Sequence, residues 1–281
     1  MNQSPHPEND ELFPIGRVDP LMDYLRDIWR RRDFIIQVPL NELRVQNANT
    51  FLGNIWLVLN PALSVGVYFI VFGLIVDVRR GVEDYLAFLT IGVFVFSSSQ
   101  RVIVNGAGAV ARNLGLIRTM RFPRAILPLG TAVSGVISFG PVLLVTLAVT
   151  IGYGNFPTWR WAALLPVFAL QVLFNLGGSF FMARLNHVYA DLEYTLPYLF
   201  RLLFYLSGVL YSVDRFVQDE SLRFFFALNP MYCFLSIWRW ALLDLPLRAE
   251  VVGGALISGL VAPVAGFLFF RAGEATYGRA D

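Results

Sequence analysis

Between Gly115 and Leu129 the chain reads GLIRTMRFPRAILPL, with Arg118, Arg121 and Arg124 at every third position and prolines at 123 and 128. Guanidinium groups in such a row break no bonds; they pair with carboxylates or phosphates. No Asp or Glu occurs from Tyr85 through Ala190, so these arginines have no acidic neighbour in sequence and their partner is expected on another chain. A second set of residues could hold a ligand. Asn60, Ser64, Tyr68 and Phe72 are four apart and share a helix face, as do Gln171, Asn175 and Ser179. Tyr194, Tyr198, Arg201, Tyr205 and Ser212 form a third polar and aromatic set. Such stripes can be hydrogen-bonded glue between helices, the reading favoured for Gln171 and Asn175. Walls of Tyr and Phe can also stack on the apolar faces of sugar rings, because the ring is amphipathic and its hydroxyl needs a partner. Nothing resembles a catalytic constellation. Cys233, His6 and His187 make no metal cluster, and all 22 basic residues are arginine, which excludes a lysine-dependent phosphate loop. If the protein uses ATP, another chain binds it.

These residues must be positioned by helices in a membrane. The 281 residues are 56% hydrophobic and 15% charged, and the apolar runs are about 20 residues long, the length that spans a bilayer. The runs are Ile55–Val76, Tyr85–Val104, Ile126–Gly152, Trp161–Ala183, Leu196–Val213, Phe224–Leu243 and Val251–Phe270. Six arginines precede the first run and four more, Arg112, Arg118, Arg121 and Arg124, follow the second, which places the N-terminus and that loop in the cytoplasm. The run Phe224–Leu243 is broken at Asn229-Pro230, and proline biases its predecessor away from helix. It reads as a re-entrant hairpin entering from the outer face, which leaves six spans and a cytoplasmic C-terminus; a seven-span arrangement is the alternative. Arg201 lies within the fifth run, where a charge normally faces protein or water, so it either reaches toward Asp191 and Glu193 or lines a polar conduit. The polar, proline-rich residues 1–20 read as a flexible tail. Residues 21–50 follow, with an amphipathic interface helix over about Asp23–Ile36 that carries Trp29, Arg30 and Arg31. Residues 51–281 form the spanning domain. The fold class is an all-α integral membrane protein.

In order and spacing, the chain from about Glu42 onward resembles the membrane subunits of type-2 ABC exporters for polysaccharides, the group that handles O-antigen, capsule, wall teichoic acid and galactan. LRVQNANTFLGNIWLVLNPAL resembles the family's entry to the first span, and the segment from Asn113 through Phe122-Pro123-Arg124 resembles its pattern between spans two and three. Tyr189 to Tyr211, with LSGVLYS, resembles the fifth span; LNPMYCFLSIWRWALL resembles the outer re-entrant region, and FFRAGEATYGRAD the tail. Two departures stand out: Ala190 occupies a place where the family often has Arg, and Ser207-Gly208-Val209 replaces Ser-Pro-Val.

The resemblance implies a homodimer in the bacterial inner membrane, paired with two copies of a separate ATPase subunit that binds ATP and Mg, and no cofactor in this chain. It implies a channel along spans one and five for a lipid-linked glycan, with Tyr68, Phe72, Tyr198, Arg201 and Tyr205 as candidate walls. Asn229, Pro230, Trp238 and Arg239 become an outer gate. Asn113–Met120 becomes the coupling helix, with Asn113, Ile117, Arg118 and Arg121 meeting the ATPase, while Arg124 anchors the third span at the headgroups. An exporter of drugs or lipids is the alternative of similar architecture. A membrane glycosyltransferase would need metal-binding or paired carboxylates, for which only Asp191 and Glu193 stand near the membrane edge. A secondary transporter would need a buried acid or His and an internal repeat, and neither is found. No nucleic-acid partner is expected.

Overall fold

The structure, a computed structural model, describes residues 20–46, 51–76, 82–120 and 122–277. Every regular element among them is helical. Two helices precede the first span, α1 (Leu21–Arg30) and α2 (Arg32–Gln46). The spans are α3 (Trp56–Tyr68, continued as a π-helix over Phe69–Ile75), α4 (Tyr85–Ala107), α7 (Ile126–Gly152), α8 (Leu164–Val188) and α13 (Ala249–Ala272). Short helices α5 (Ala109–Arg112) and α6 (Leu114–Thr119) link α4 to α7. After α8 come α9 (Leu192–Leu206), α10 (Val213–Phe216), α11 (Glu220–Ala227) and α12 (Pro230–Leu243). Among the described residues, five helices are long and apolar enough to cross a membrane. At 1.5 Å per residue, α9 and α12 reach only about 22 and 21 Å.

Two boundaries differ from the sequence reading. The interface helix expected over Asp23–Ile36 is two helices, because the chain turns at Arg31, whose φ of -99° and ψ of 19° leave the α region. The fifth run was expected to continue to Val213, but its helix stops at Leu206 and Gly208 takes a left-handed φ of 62°. The expected six spans and the seven-span alternative both exceed these five: α9 and α12 each fall short of the bilayer's thickness, and α11 and α12 are separated at Leu228-Asn229. At that break Asn229 caps α12, its Oδ1 accepting from Met231 N at 3.0 Å, with Pro230 as the first helical residue.

Helix α4 is the hub. From Ala87 to Phe96 it is buried throughout, packed between α3, α7, α8, α9 and α12. Gln171 Nε2 donates to Ser99 Oγ at 2.7 Å and Val95 O at 3.2 Å, Trp238 Nε1 donates to Gln171 Oε1 at 2.9 Å, and Ser179 Oγ donates to Val102 O at 3.0 Å. Gln171 is therefore interhelical glue, as expected, and so is Ser179, whereas Asn175, expected in the same role, leaves its Oδ1 buried without a partner among the described residues. On the other side of α8, a Cβ on Gly177 would lie 2.2 Å from the Ala262 backbone, so only glycine lets α8 and α13 approach so closely.

The broken end of α9 is closed by side chains from elsewhere. The turn that follows α9, Gly208 to Leu210, is buried, and its carbonyls lie past the helix and need donors from side chains. Arg239 of α12, 5% exposed, donates from Nη1 to Gly208 O at 2.8 Å and from Nη2 to Val209 O at 2.8 Å and Phe88 O at 3.3 Å. Tyr85 Oη donates to Leu210 O at 2.9 Å, and Asn229 Nδ2 to Ser207 Oγ at 3.0 Å. Removing the guanidinium leaves these carbonyls buried and unpaired, so Arg239→Ala is expected to destabilise the fold by about 3–5 kcal/mol. Arg239→Lys, which cannot fork between two carbonyls, should recover only part of that. Thermal unfolding of the detergent-purified variants, followed by size-exclusion of the surviving fraction, checks both.

Candidate functional site

Two surfaces gather the residues singled out in the sequence. The first lies where α3 meets α9. Helix α9 is two-faced: Leu196, Phe200 and Phe204 are buried, with Phe96 of α4 edge-on to Phe200 and Phe204 at 6.2 and 5.2 Å. Its opposite face exposes Tyr194, Tyr198, Arg201 and Tyr205. The spacing of these residues, at i, i+4, i+7 and i+11, keeps them in line. Arg201 sits 5.8 Å over the Tyr198 ring, so it points outward with the tyrosines rather than toward Asp191 or Glu193. Tyr68 lies at the seam, 5.2 Å from the Phe204 ring and 6.4 Å from Phe72, and Tyr205 packs edge-on against Phe204 at 5.6 Å. Tyr68, Phe72, Tyr198, Arg201 and Tyr205 thus belong to one aromatic surface of the chain. The π-helix that begins immediately after Tyr68 was not foreseen. Such bulges gather at functional sites, and nothing in FIVFGLI marks one by periodicity alone.

The second surface surrounds α6. Ile117 is buried in a separate core with Tyr24, Val110, Ala125, Phe180, Phe270 and Tyr277, which joins α1, α6 and the C-terminal segment. Arg118 is exposed, and among the described residues it has no ion-pair partner. Asn113 Nδ2 donates to Ala109 O at 2.9 Å and so closes the turn before α6. Arg121 lies outside the described residues. The expectation that Arg118, Arg121 and Arg124 find acids only on another chain is corrected for Arg124, and Arg112 of the same loop also pairs within the chain. Arg112 Nη1 donates to Glu193 Oε1 at 2.8 Å, tying the end of α5 to the start of α9. Arg124 is tied to Glu274: its backbone N donates to Glu274 Oε1 at 2.8 Å and its Nη1 bonds Glu274 O. It is therefore a bracket to the C-terminal segment. Sequence order hid both pairs, because their acids lie 81 and 150 residues away.

Tyr24 completes this bracket. Its Oη donates to Glu274 Oε1 at 2.9 Å and accepts from Ala125 N at 3.2 Å. Burial, reinforced by the Glu274 carboxylate, holds the Tyr24 phenol well above its usual pKa, so it remains a donor at any physiological pH. On the outer face of α1 Trp29 is exposed with Arg32 5.4 Å over its ring, and Arg31 Nε meets Asp27 at 3.4 Å; Arg30 is exposed. The residues expected to form an outer gate are placed as braces. Trp238 and Arg239 are buried, and Asn229 and Pro230 are half-buried at the hairpin break.

No protein-family model matches the chain. The chain is similar to an O-antigen export system permease protein RfbA of Myxococcus xanthus, with 28% identity over 216 residues, 76% of this chain and 82% of that protein. It is also similar to two proteins of that name from Klebsiella pneumoniae, with 27% and 26% identity over 243 and 240 residues, in each case 85% of this chain and 91% of the relative. The resemblance carried by the sequence motifs is borne out over most of the chain's length.

The bracket makes a local prediction. Glu274→Ala removes the acceptor shared by Tyr24 and Arg124, so amide exchange in Leu21–Arg30 is expected to rise by roughly tenfold or more, since a hydrogen bond to a charged group is worth about 1.5–3 kcal/mol. Exchange in α4 should be unchanged. Hydrogen exchange read by mass spectrometry separates the two regions.

Proposed function

We propose that this chain is the transmembrane subunit of an ATP-driven exporter that moves a lipid-linked polysaccharide across the bacterial inner membrane. The observation that carries the reading is the similarity, along more than three quarters of the chain, to three permeases of O-antigen export systems. The glycan is of the O-antigen, teichoic acid or galactan type. ATP and Mg belong to a separate subunit, and two copies of this chain assemble with two copies of that ATPase. In this reading the arginine-rich loops before α3 and between α4 and α7 face the cytoplasm, and six crossings bring the C-terminus to the same side.

In this reading α6 seats in a groove of the ATPase, as short amphipathic helices do, with Asn113 and Ile117 shaping the elbow and Arg118 and Arg121 pairing with acids of the partner. Trp29, Arg30 and Arg31 border the same cytoplasmic surface. Closure of the ATPase dimer pushes α6, and the chain offers two intramolecular routes for the push. One is Arg112–Glu193, which leads into α9 and its tyrosine face; the other is Arg124–Glu274–Tyr24, which carries α1 along. Nucleotide thereby biases a two-state element rather than supplying force to the sugar directly. Tyr68, Phe72, Tyr198, Arg201 and Tyr205 line the glycan path, where rings stack weakly on sugars and release them again. Asn229, Pro230, Trp238 and Arg239 hold the outer hairpin rigid, so any gating at the outer end moves the hairpin as a body.

Co-purification with the product of an adjacent ATPase gene, followed by ATP turnover with and without lipid-linked glycan, tests the reading. A stable complex whose turnover responds to glycan is expected; no ATPase bound in any condition would overturn it. Arg118→Glu should leave the chain folded but abolish glycan-responsive turnover. Tyr68→Ala and Tyr205→Ala should assemble normally and each lower export roughly fivefold, from about 1 kcal/mol of lost ring contact. Unchanged export in both rejects the stacking role.

A further inference from the structure

The π-helix that follows Tyr68 has a cause in its packing. Over Phe69–Ile75 the chain winds one residue more into each turn, and the segment closes with Val76 N donating to Val71 O, five residues back, at 2.9 Å. Such segments are rare, so a contact outside the backbone must favour this one. Ile70, Val71, Leu74 and Ile75 are exposed and set no register. Gly73 is buried. A Cβ built on it would lie 3.1 Å from Tyr85 Cε1 and 3.1 Å from Phe69 Cδ2, closer than ordinary van der Waals contact. The Tyr85 ring, 3% exposed and 6.3 Å from that of Phe69, therefore closes over the glycine.

An α-turn and a π-turn differ by one residue, so a helix that stayed α beyond Tyr68 would bring Phe72 to the place that Gly73 holds. A phenylalanine cannot stand where one added carbon is already crowded. Tyr85 thus excludes the α register, and Gly73 permits the π one. In the π register Phe72 stays half-buried, its ring 6.4 Å from that of Tyr68 on the aromatic surface. The α register would turn it toward Tyr85 by on the order of 100°, one residue's share of a 3.6-residue turn, and take it off that surface.

Tyr85 is itself held from elsewhere. Its Oη donates to Leu210 O at 2.9 Å, in the turn that follows α9 and whose other carbonyls Arg239 holds. One ring therefore touches both the segment that carries Phe72 and the end of the helix that carries the tyrosines. We propose that Tyr85 is a positioning residue for the aromatic surface: it selects the π register of Phe69–Ile75, holds Phe72 beside Tyr68, and passes any movement of the Leu210 turn to that register. The register does not depend on the export reading above; its consequence for the glycan path does.

Cryo-EM maps of the full-length chain in nanodiscs, with a bound antibody fragment for size, read the register directly. The unaltered chain is expected to show the Val71–Val76 bond, and Tyr85→Phe, which keeps the ring, should show it too. Tyr85→Ala should move the acceptor to Phe72 O, with the Phe72 ring in the vacated place. Deletion of Phe72 sets Gly73 four residues after Tyr68, against Tyr85, so that variant should fold with a continuous α-helix; it keeps the test open if Tyr85→Ala does not fold. A π segment that persists in Tyr85→Ala, or in the Phe72 deletion, overturns the role of Tyr85, as does an α-helix in the unaltered chain. In the exporting complex Phe72→Ala and Tyr85→Ala should each lower export about fivefold and the double variant by no more, because both empty one place in the wall. Losses that multiply in the double variant would break the link between the two residues. The maps need neither ATPase nor glycan, so an unaltered chain that fails to export counts against the export reading while the register is decided independently.

Discussion

The buried guanidinium of Arg239 is the contact on which the outer half of the molecule depends. Helix α9 ends early, at a glycine in the left-handed region, and a helix that ends inside apolar surroundings must have its carbonyls satisfied or lose several kcal/mol. Arg239 supplies donors to Gly208 and Val209, and its guanidinium lies 3.4 Å over the Phe88 ring. It thereby ties three elements together: the hairpin that carries it, the broken end of α9, and the hub helix α4. Trp238, the preceding residue, extends the network through Gln171 to Ser99. A charge that would be costly in lipid becomes the fixed point of the fold because its partners are backbone carbonyls exposed by a helix break.

What this rigidity positions is the tyrosine face. With Leu196, Phe200 and Phe204 committed to the core, Tyr194, Tyr198, Arg201 and Tyr205 have no place inside the chain and stand exposed on its surface. At the opposite end of the molecule a second, smaller core holds α1, α6 and the C-terminal segment around Ile117, Tyr24 and Tyr277. The two ends communicate through few contacts. Arg112–Glu193 is the polar contact that joins the α5–α6 elbow to the helix bearing the tyrosines.

Much of this was legible in the residues. Hydropathy located the long spans to within a few positions, because a run of apolar residues as long as the bilayer is thick has few other uses. Asn229-Pro230 marked the hairpin break, since asparagine caps and proline begins helices. The early end of α9 was less visible: apolar residues continue through Leu210, and only Gly208 hinted at the turn. The partners of Arg112 and Arg124 were hidden because charge pairing across 81 and 150 residues is a property of packing rather than of local sequence.

The central claim is that the exposed tyrosine face borders a watery glycan path and not the lipid. Cys233 is the chain's single cysteine and is fully buried, so introduced thiols report without background. In the complex reconstituted in liposomes, Tyr198→Cys and Tyr205→Cys should react with a charged, water-soluble maleimide much faster than Leu260→Cys, an exposed apolar position on α13. Added lipid-linked glycan should slow that reaction. Labelling of both tyrosine positions no faster than Leu260→Cys, with no effect of glycan, would place the face against lipid and contradict the account.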